Sequence, residues 1–214
     1  LIQSYGVKTP IVAVSNGIDL SKYKKDPKKE EVFRKHFNIQ EGEKVVLCAG
    51  LYFRRKGIED FVEVARRMPD VRFIWLGSIN KWLIPRAIRR LVEKDHPSNV
   101  EFPGYFKGAV FQGAMTGADA FFFPSYEETE GIVVLEALAG HQHVVLRDIP
   151  VYHGWVDQES AELCHSVDEF VDSLEKVLSG QVDKRDAGDR VAQSRSIDLV
   201  ADKLVKAYQQ VLEM

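Results

Sequence analysis

Cysteine is nearly absent, with only Cys48 and Cys164 in 214 residues. Both lie in apolar stretches. Two thiols neither build a disulfide framework nor supply four zinc ligands, so burial is their expected role. No apolar run approaches the ~20 residues that a membrane-spanning helix needs, and no basic stretch followed by an apolar core opens the chain as a secretory signal would. These absences predict a soluble, cytoplasmic protein. No G-x-G-x-x-G follows an apolar run, and no G-x-x-x-x-G-K-[ST] occurs, which argues against a dehydrogenase and a P-loop NTPase. Asp-x-Asp and every other dense metal-ligand cluster are also missing, so no metal is expected. His141 and His143 alone make a poor zinc site. The first residue is Leu1 rather than Met, which predicts a piece of a longer protein.

What is present is an ordinary globular composition, 45% apolar and 29% charged, with an uneven distribution of charge. The net charge of −3 conceals a basic stretch, residues 22–94, with 19 Lys and Arg against 10 Asp and Glu. Residues 95–214 hold 9 against 21. A basic half fits either solvated helix faces or an anionic partner such as a phosphate or an acidic lipid surface. A nucleic-acid partner is not expected, since the basic residues form no recognition motif and the pI is about 6.1.

Short apolar runs alternate with segments of helical period, the pattern of strand-helix-strand units around a parallel sheet. The strand expectations are residues 11–15, 45–50, 71–77, 100–102, 119–125, 143–147 and 161–164. Their unbroken apolar character implies burial on both faces. Ile58, Phe61, Val62, Ala65 and Met68 recur at helical spacing and form one stripe. Further helices are expected over residues 82–94, 108–117, 131–140 and 167–178. Ile197, Val200, Ala201, Leu204, Tyr208 and Val211 mark a C-terminal helix. The fold class is therefore α/β, a Rossmann-like doubly wound parallel sheet in one domain over residues 1–214.

In such a sheet ligands bind beyond the carboxyl ends of the strands, so the residues that follow each strand are informative. After residues 119–125 comes YEETEGIVVLEALAG, where Glu128 and Glu136 are separated by seven residues and Gly131 opens a helix. The amides of Gly131, Ile132 and Val133, with the positive end of the helix dipole, suit a diphosphate. Glu136 suits the paired hydroxyls of a ribose and Glu128 those of a sugar. An acidic helix start favoured by the dipole is the alternative. After residues 45–50 comes LYFRRKG, where Arg54, Arg55 and Lys56 form either a solvated turn or a diphosphate clamp.

These residues resemble the group 1 retaining glycosyltransferases of the two-domain GT-B fold, over nearly the whole chain. NGIDLSKY from Asn16 resembles the family's NGVD element at the interdomain linker. GLYFRRKG is similar to its G-R-L-x-x-x-K-G turn, PGYF from Pro103 to its base-binding segment, and EETEGIVVLEALAG to its E-x7-E element. The resemblance implies that the chain is the C-terminal, donor-binding half of a GT-B enzyme whose N-terminal acceptor domain it lacks. The donor would be a UDP-sugar, UDP-glucose or UDP-galactose, transferred with retention. By the same resemblance Lys56 with Arg54 or Arg55 holds the diphosphate, Glu128 the sugar and Glu136 the ribose, and the backbone near Tyr105 holds the base. Lys56 and Glu128 would be the catalytic pair.

Three places depart from the pattern, one of them HQHVV from His141 in place of the family's G-x-P-V. Leu51 stands where the family has a diphosphate-binding Arg, and Glu130 interrupts E-G-F-G, which would bring a second carboxylate near the sugar pocket. HQHVVLRDIPVY adds a resemblance to Gram-positive enzymes that glycosylate diacylglycerol glycolipids. It implies peripheral contact with an anionic membrane, for which Arg86, Arg89 and Arg90 beside Trp82 are candidates. A different sugar-nucleotide enzyme, such as an epimerase or phosphorylase, and a non-catalytic nucleotide-binding scaffold are the alternatives.

Overall fold

The computed structural model describes residues 3–213 and contains a six-stranded parallel sheet. The strands are β1 (Val45–Ala49), β2 (Arg72–Leu76), β3 (Val100–Gly104), β4 (Ala120–Phe123), β5 (Val144–Arg147) and β6 (Glu162–Cys164). Their order, β3-β2-β1-β4-β5-β6, is that of a doubly wound Rossmann sheet. The central strands read as unbroken apolar runs because helices cover both faces. Every residue of β1, β4 and β5 is buried.

The helices are α1 (Pro27–His36), α2 (Ile58–Arg67), α3 (Arg86–Glu93), α4 (Ala109–Gly117), α5 (Ile132–Ala139), α6 (Val167–Leu178), α7 (Arg185–Ser194) and α8 (Ile197–Leu212). The stripe expected on α2 is buried, and Phe61 stacks on Phe122 of β4 with ring centroids 5.8 Å apart. The helix expected over 82–94 starts late, at Arg86. Pro85 occupies its N-cap, and a tight turn over Lys81–Leu83 precedes it. Two helices, α1 and α7, have no counterpart in the sequence reading.

Residues 11–15, expected as a strand, are irregular, and Ile11 and Val12 are exposed. The edges of the sheet are β3 and β6, and residues 11–15 pair with neither. A short apolar run does not by itself distinguish a strand from an apolar surface strip. The stripe expected on α8 is likewise mostly uncovered: Val200 is buried, whereas Tyr208 and Val211 are exposed.

The chain reverses direction of winding between β1 and β4, which opens a crevice beyond their carboxyl ends. Gly57 sets one wall of it. Its φ is +76°, and a Cβ there would stand 2.2 Å from the Pro124 carbonyl, so only glycine lets the turn after β1 lie against the loop after β4.

Candidate functional site

The turn Arg54–Lys56 winds three residues per turn, so its three cationic side chains point in three directions. Lys56 and Arg55 face the crevice, while Arg54 turns out to solvent and pairs with Glu59 at 2.8 Å. Arg54 therefore does not join the site. Lys56 Nζ lies 2.5 Å from Glu128 Oε1, and the two side chains are only 13% and 7% exposed. Ser125 Oγ donates to the same carboxylate oxygen at 2.7 Å. Arg55 Nη1 donates to the Glu127 carbonyl at 3.0 Å and ties the two loops together.

Arg55, Lys56 and Glu128 line a cavity of about 340 Å³ whose far wall is the start of α5, through Gly131, Ile132 and Val133. Gly131 caps α5 with φ +78° and offers no side-chain cap, so first-turn amides are left for another acceptor. Tyr105, 72% exposed, and Leu51 complete the rim. The cationic turn and the amide-rich helix start thus share one cavity. Leu51 occupies the place of the family's arginine, and Arg55 supplies a second cation from the other side of the same turn.

Glu136 is not among the residues that line this cavity. It sits four residues beyond Ile132, on the same face of α5, and accepts a hydrogen bond from the Tyr23 hydroxyl. Burial raises its carboxyl above the usual range, against the opposing pull of Tyr23 and Lys22. Glu130 is also outside the cavity, contrary to its expected place beside the sugar pocket. Its carboxylate faces Ser15 and Asn16 instead. The physical reason is backbone direction: the chain bends at Thr129 and Glu130, so that residues 128 and 130 project to different sides of the loop.

Sequence reasoning did not single out Ser125, Tyr23 or Tyr152. Tyr152 is fully buried against Gly131, and its hydroxyl has no partner among the described residues. Ser125 lies two residues after the end of β4, a position that strand-end reasoning can find. Tyr23 meets Glu136 across 113 residues and carries no local signal.

A second cavity, about 420 Å³, lies at the opposite edge of the sheet between Lys25, Lys44, Asp119, His141, His143 and Arg185. His141 faces Asp186 at 3.0 Å, and His143 faces Asp183 at 4.0 Å. Among the described residues no three His, Cys, Asp or Glu side chains are grouped to hold a metal. Both cysteines are buried and free.

Comparison with known proteins bears on the family and the fold. Residues 29–194 match the family model described as "Glycosyl transferases group 1". The chain is 49% identical over 217 residues to the "Processive diacylglycerol alpha-glucosyltransferase" of Acholeplasma laidlawii, covering all of this chain and 65% of that protein. It is 28% identical over 145 residues to the "Alpha-galactosylglucosyldiacylglycerol synthase" of Streptococcus pneumoniae, covering 66% of this chain and 39% of that protein. The chain thus spans less than two thirds of the length of either relative. Among solved structures, a sucrose-phosphate synthase from Thermosynechococcus elongatus superposes with a TM-score of 0.81 at 20% identity, covering 94% of this chain and 52% of that one. Anabaena Alr3699/HepE in complex with UDP-glucose superposes with a TM-score of 0.79 at 16% identity, covering 92% and 57%. The chain belongs to the group 1 glycosyltransferase family and has its Rossmann-like fold.

Proposed function

We propose that this chain is the donor-binding half of a retaining hexosyltransferase that takes UDP-glucose or UDP-galactose and glycosylates a diacylglycerol glycolipid. The observation that carries the reading is the single cavity in which Lys56, Arg55, Glu128 and the start of α5 meet. Lys56 and Arg55 hold the diphosphate together with the amides of Gly131, Ile132 and Val133. Glu128 accepts hydroxyls of the donor sugar, and exposed Tyr105 borders the base. Glu136 takes the ribose. Tyr23 donates to one of its oxygens, and a carboxylate has further lone pairs for two hydroxyls.

As the glycosidic bond breaks, negative charge develops on the β-phosphate. Lys56, Arg55 and the α5 dipole are fixed beforehand where that charge appears, which stabilises the transition state more than the ground state. Before donor binds, Glu128 holds Lys56 in place. A diphosphate competes for that ammonium and frees Glu128 to accept sugar hydroxyls.

The acceptor domain of the whole protein is assigned to the uncovered apolar strip formed by Pro10 and Val12 with Ala207 and Val211 of α8. Membrane contact is assigned to the turn before α3, where Trp82 and Leu83 are 76% and 70% exposed and Arg89 lies over the Trp82 ring at 5.3 Å. Each cation near an anionic bilayer contributes on the order of 1 kcal/mol. No helix among the described residues is long and apolar enough to cross a membrane.

Calorimetric titration with UDP, UDP-glucose, UDP-galactose and other nucleotide sugars tests the donor assignment. Binding confined to UDP compounds is expected, and failure of all of them to bind overturns it.

A further inference from the structure

Glu130 departs from the family's loop pattern, and neither sugar nor phosphate explains it. It follows Glu128 by two residues and immediately precedes the glycine that starts α5. Its carboxylate reaches across 114 residues of sequence to the segment that resembles the interdomain linker. It accepts from the backbone N–H of Asn16 at 3.1 Å, from the Asn16 side-chain amide and from the Ser15 hydroxyl. The guanidinium of Arg195 stands 3.5 Å away and covers the face of Trp155 at 4.6 Å from the ring centroid.

The same linker segment is held from its other side. Ile18 N–H donates to the Arg195 carbonyl at 3.0 Å, and Ile197 N–H donates to the Ile18 carbonyl at 2.9 Å. Arg195 therefore touches the segment through its backbone and Glu130 through its side chain. Burial pushes the Glu130 carboxyl up, but the Ser15 and Asn16 donors and Arg195 outweigh it, so the group stays ionised as the anchor requires.

We propose that Glu130 is a positioning residue, a latch that fixes the loop from Glu128 to Gly131 by tying it to Ser15 and Asn16. The loop has little else to hold it on this side, because Thr129 is exposed and Gly131 offers no side chain. A carboxylate that makes three hydrogen bonds to one segment restrains the loop in one place, and Glu128, two residues before it, inherits that placement. The proposal rests on the donor reading for its consequence, in that the sugar end of the cavity depends on how the linker is seated. The diphosphate end, set by Lys56 and Arg55 on a different turn and by α5 amides whose helix start is held by its own Val134 N–H to Gly131 carbonyl bond, does not.

The test compares Glu130→Ala, Glu130→Asp and Ser15→Ala/Asn16→Gly with the unaltered chain, by calorimetric titration with UDP and UDP-glucose and by amide hydrogen exchange without ligand. Glu130→Ala is expected to weaken UDP-glucose about tenfold, the scale of a hydrogen-bond set to a charged group, and to change UDP by less than about twofold. Ser15→Ala/Asn16→Gly is expected to produce the same selective loss. Combining Glu130→Ala with Ser15→Ala/Asn16→Gly is expected to be no worse than Glu130→Ala alone, because all three substitutions remove one latch. Glu130→Asp, which keeps the charge, restores part of the affinity. A uniform loss for both ligands marks a merely structural role and overturns the proposal, as does unchanged UDP-glucose affinity. If the unaltered chain binds neither ligand, the donor reading fails and exchange decides the latch. Faster exchange at both 15–17 and 129–131 in Glu130→Ala supports it, and unchanged exchange at 129–131 overturns it.

Discussion

Lys44 and Lys56 lie at opposite ends of the same strand and meet opposite fields. Lys44 precedes β1 at the amino edge of the sheet, where it pairs with Asp119 at 2.8 Å and lines a cavity with Lys25 and Arg185. The carboxyl ends of α4, α5 and α6 converge there, through Gly117, Gly140 and Leu178. Those ends carry partial negative charge, so the basic residues neutralise the fold's own dipoles and leave nothing for a phosphate. Lys56 follows β1 at the carboxyl edge, where α5 presents its amino end. Here cation and dipole have the same sign and add. The comparison teaches that a basic cluster becomes an anion site when the helix ends around it reinforce its charge; its composition alone does not decide.

The largest expected effect separates the two lysines directly. Lys56→Met is expected to weaken UDP-glucose binding by about ten- to a hundredfold, since a charge-assisted hydrogen bond is worth roughly 1.5–3 kcal/mol. Lys44→Met is expected to leave the affinity within about twofold, and calorimetric titration of both reads the contrast. Equal losses would break it. Lys56→Met also strands the buried carboxylate of Glu128, at a cost of about 3 kcal/mol in stability. Lys56→Met/Glu128→Gln removes that cost while still binding poorly, which distinguishes a lost ligand contact from a lost fold.

Next in size is Gly131→Ala. The added Cβ would stand 2.9 Å from Tyr152 Cε1, at a φ of +78° that alanine disfavours. Strain of this kind is worth about 1–3 kcal/mol, so thermal unfolding is expected at lower temperature. Because the strain falls on the first turn of α5, UDP itself is expected to bind more weakly, unlike the sugar-selective loss on removing Glu130. An alanine variant with unchanged UDP affinity would show that the helix start contributes no donors.

The sheet was legible because its strands are buried on both faces and each becomes a short, unbroken apolar run. Residues 11–15 give the same signal from the surface, since hydrophobicity records the need for cover and not what provides it. α1 and α7 were silent for the opposite reason. α1 buries only Phe33, and α7 only Gly188 and Ala192, so neither writes a stripe. At the site, the turn after β1 and the loop after β4 were readable as strand-end motifs. That Lys56 and Arg55 share a cavity with the α5 start follows from strand order. The partners of Glu136 and Glu130 could not be read locally, because Tyr23, Ser15 and Asn16 lie more than a hundred residues from the carboxylates they meet. One feature of Arg54 was available in advance: a three-residue turn cannot aim three consecutive side chains into one crevice.

The smallest expected effect lies at the amino edge and concerns pH. His143 is largely buried, and its Nδ1 makes no hydrogen bond. Burial and then Arg185 hold its pKa below the ordinary 6.5, while Asp183 and Asp119 pull the other way and His141 adds to the lowering. In the window between the lowered folded value and 6.5 the unfolded chain binds more protons. The contribution of His143 is therefore fully present above pH 6.5 and is lost as pH falls through the folded value. Its slope cannot exceed about 1.4 kcal/mol per pH unit for one proton. Asp183 titrates in a separate window, since Arg185 holds it below the usual carboxylate range. His143→Asn is expected to flatten the stability profile just below pH 6.5, as measured by urea unfolding, and to leave UDP affinity at the other edge unchanged. If the slope persists in His143→Asn, the proton belongs to another group. If UDP affinity follows the same transition, the two edges are coupled and the contrast between them fails.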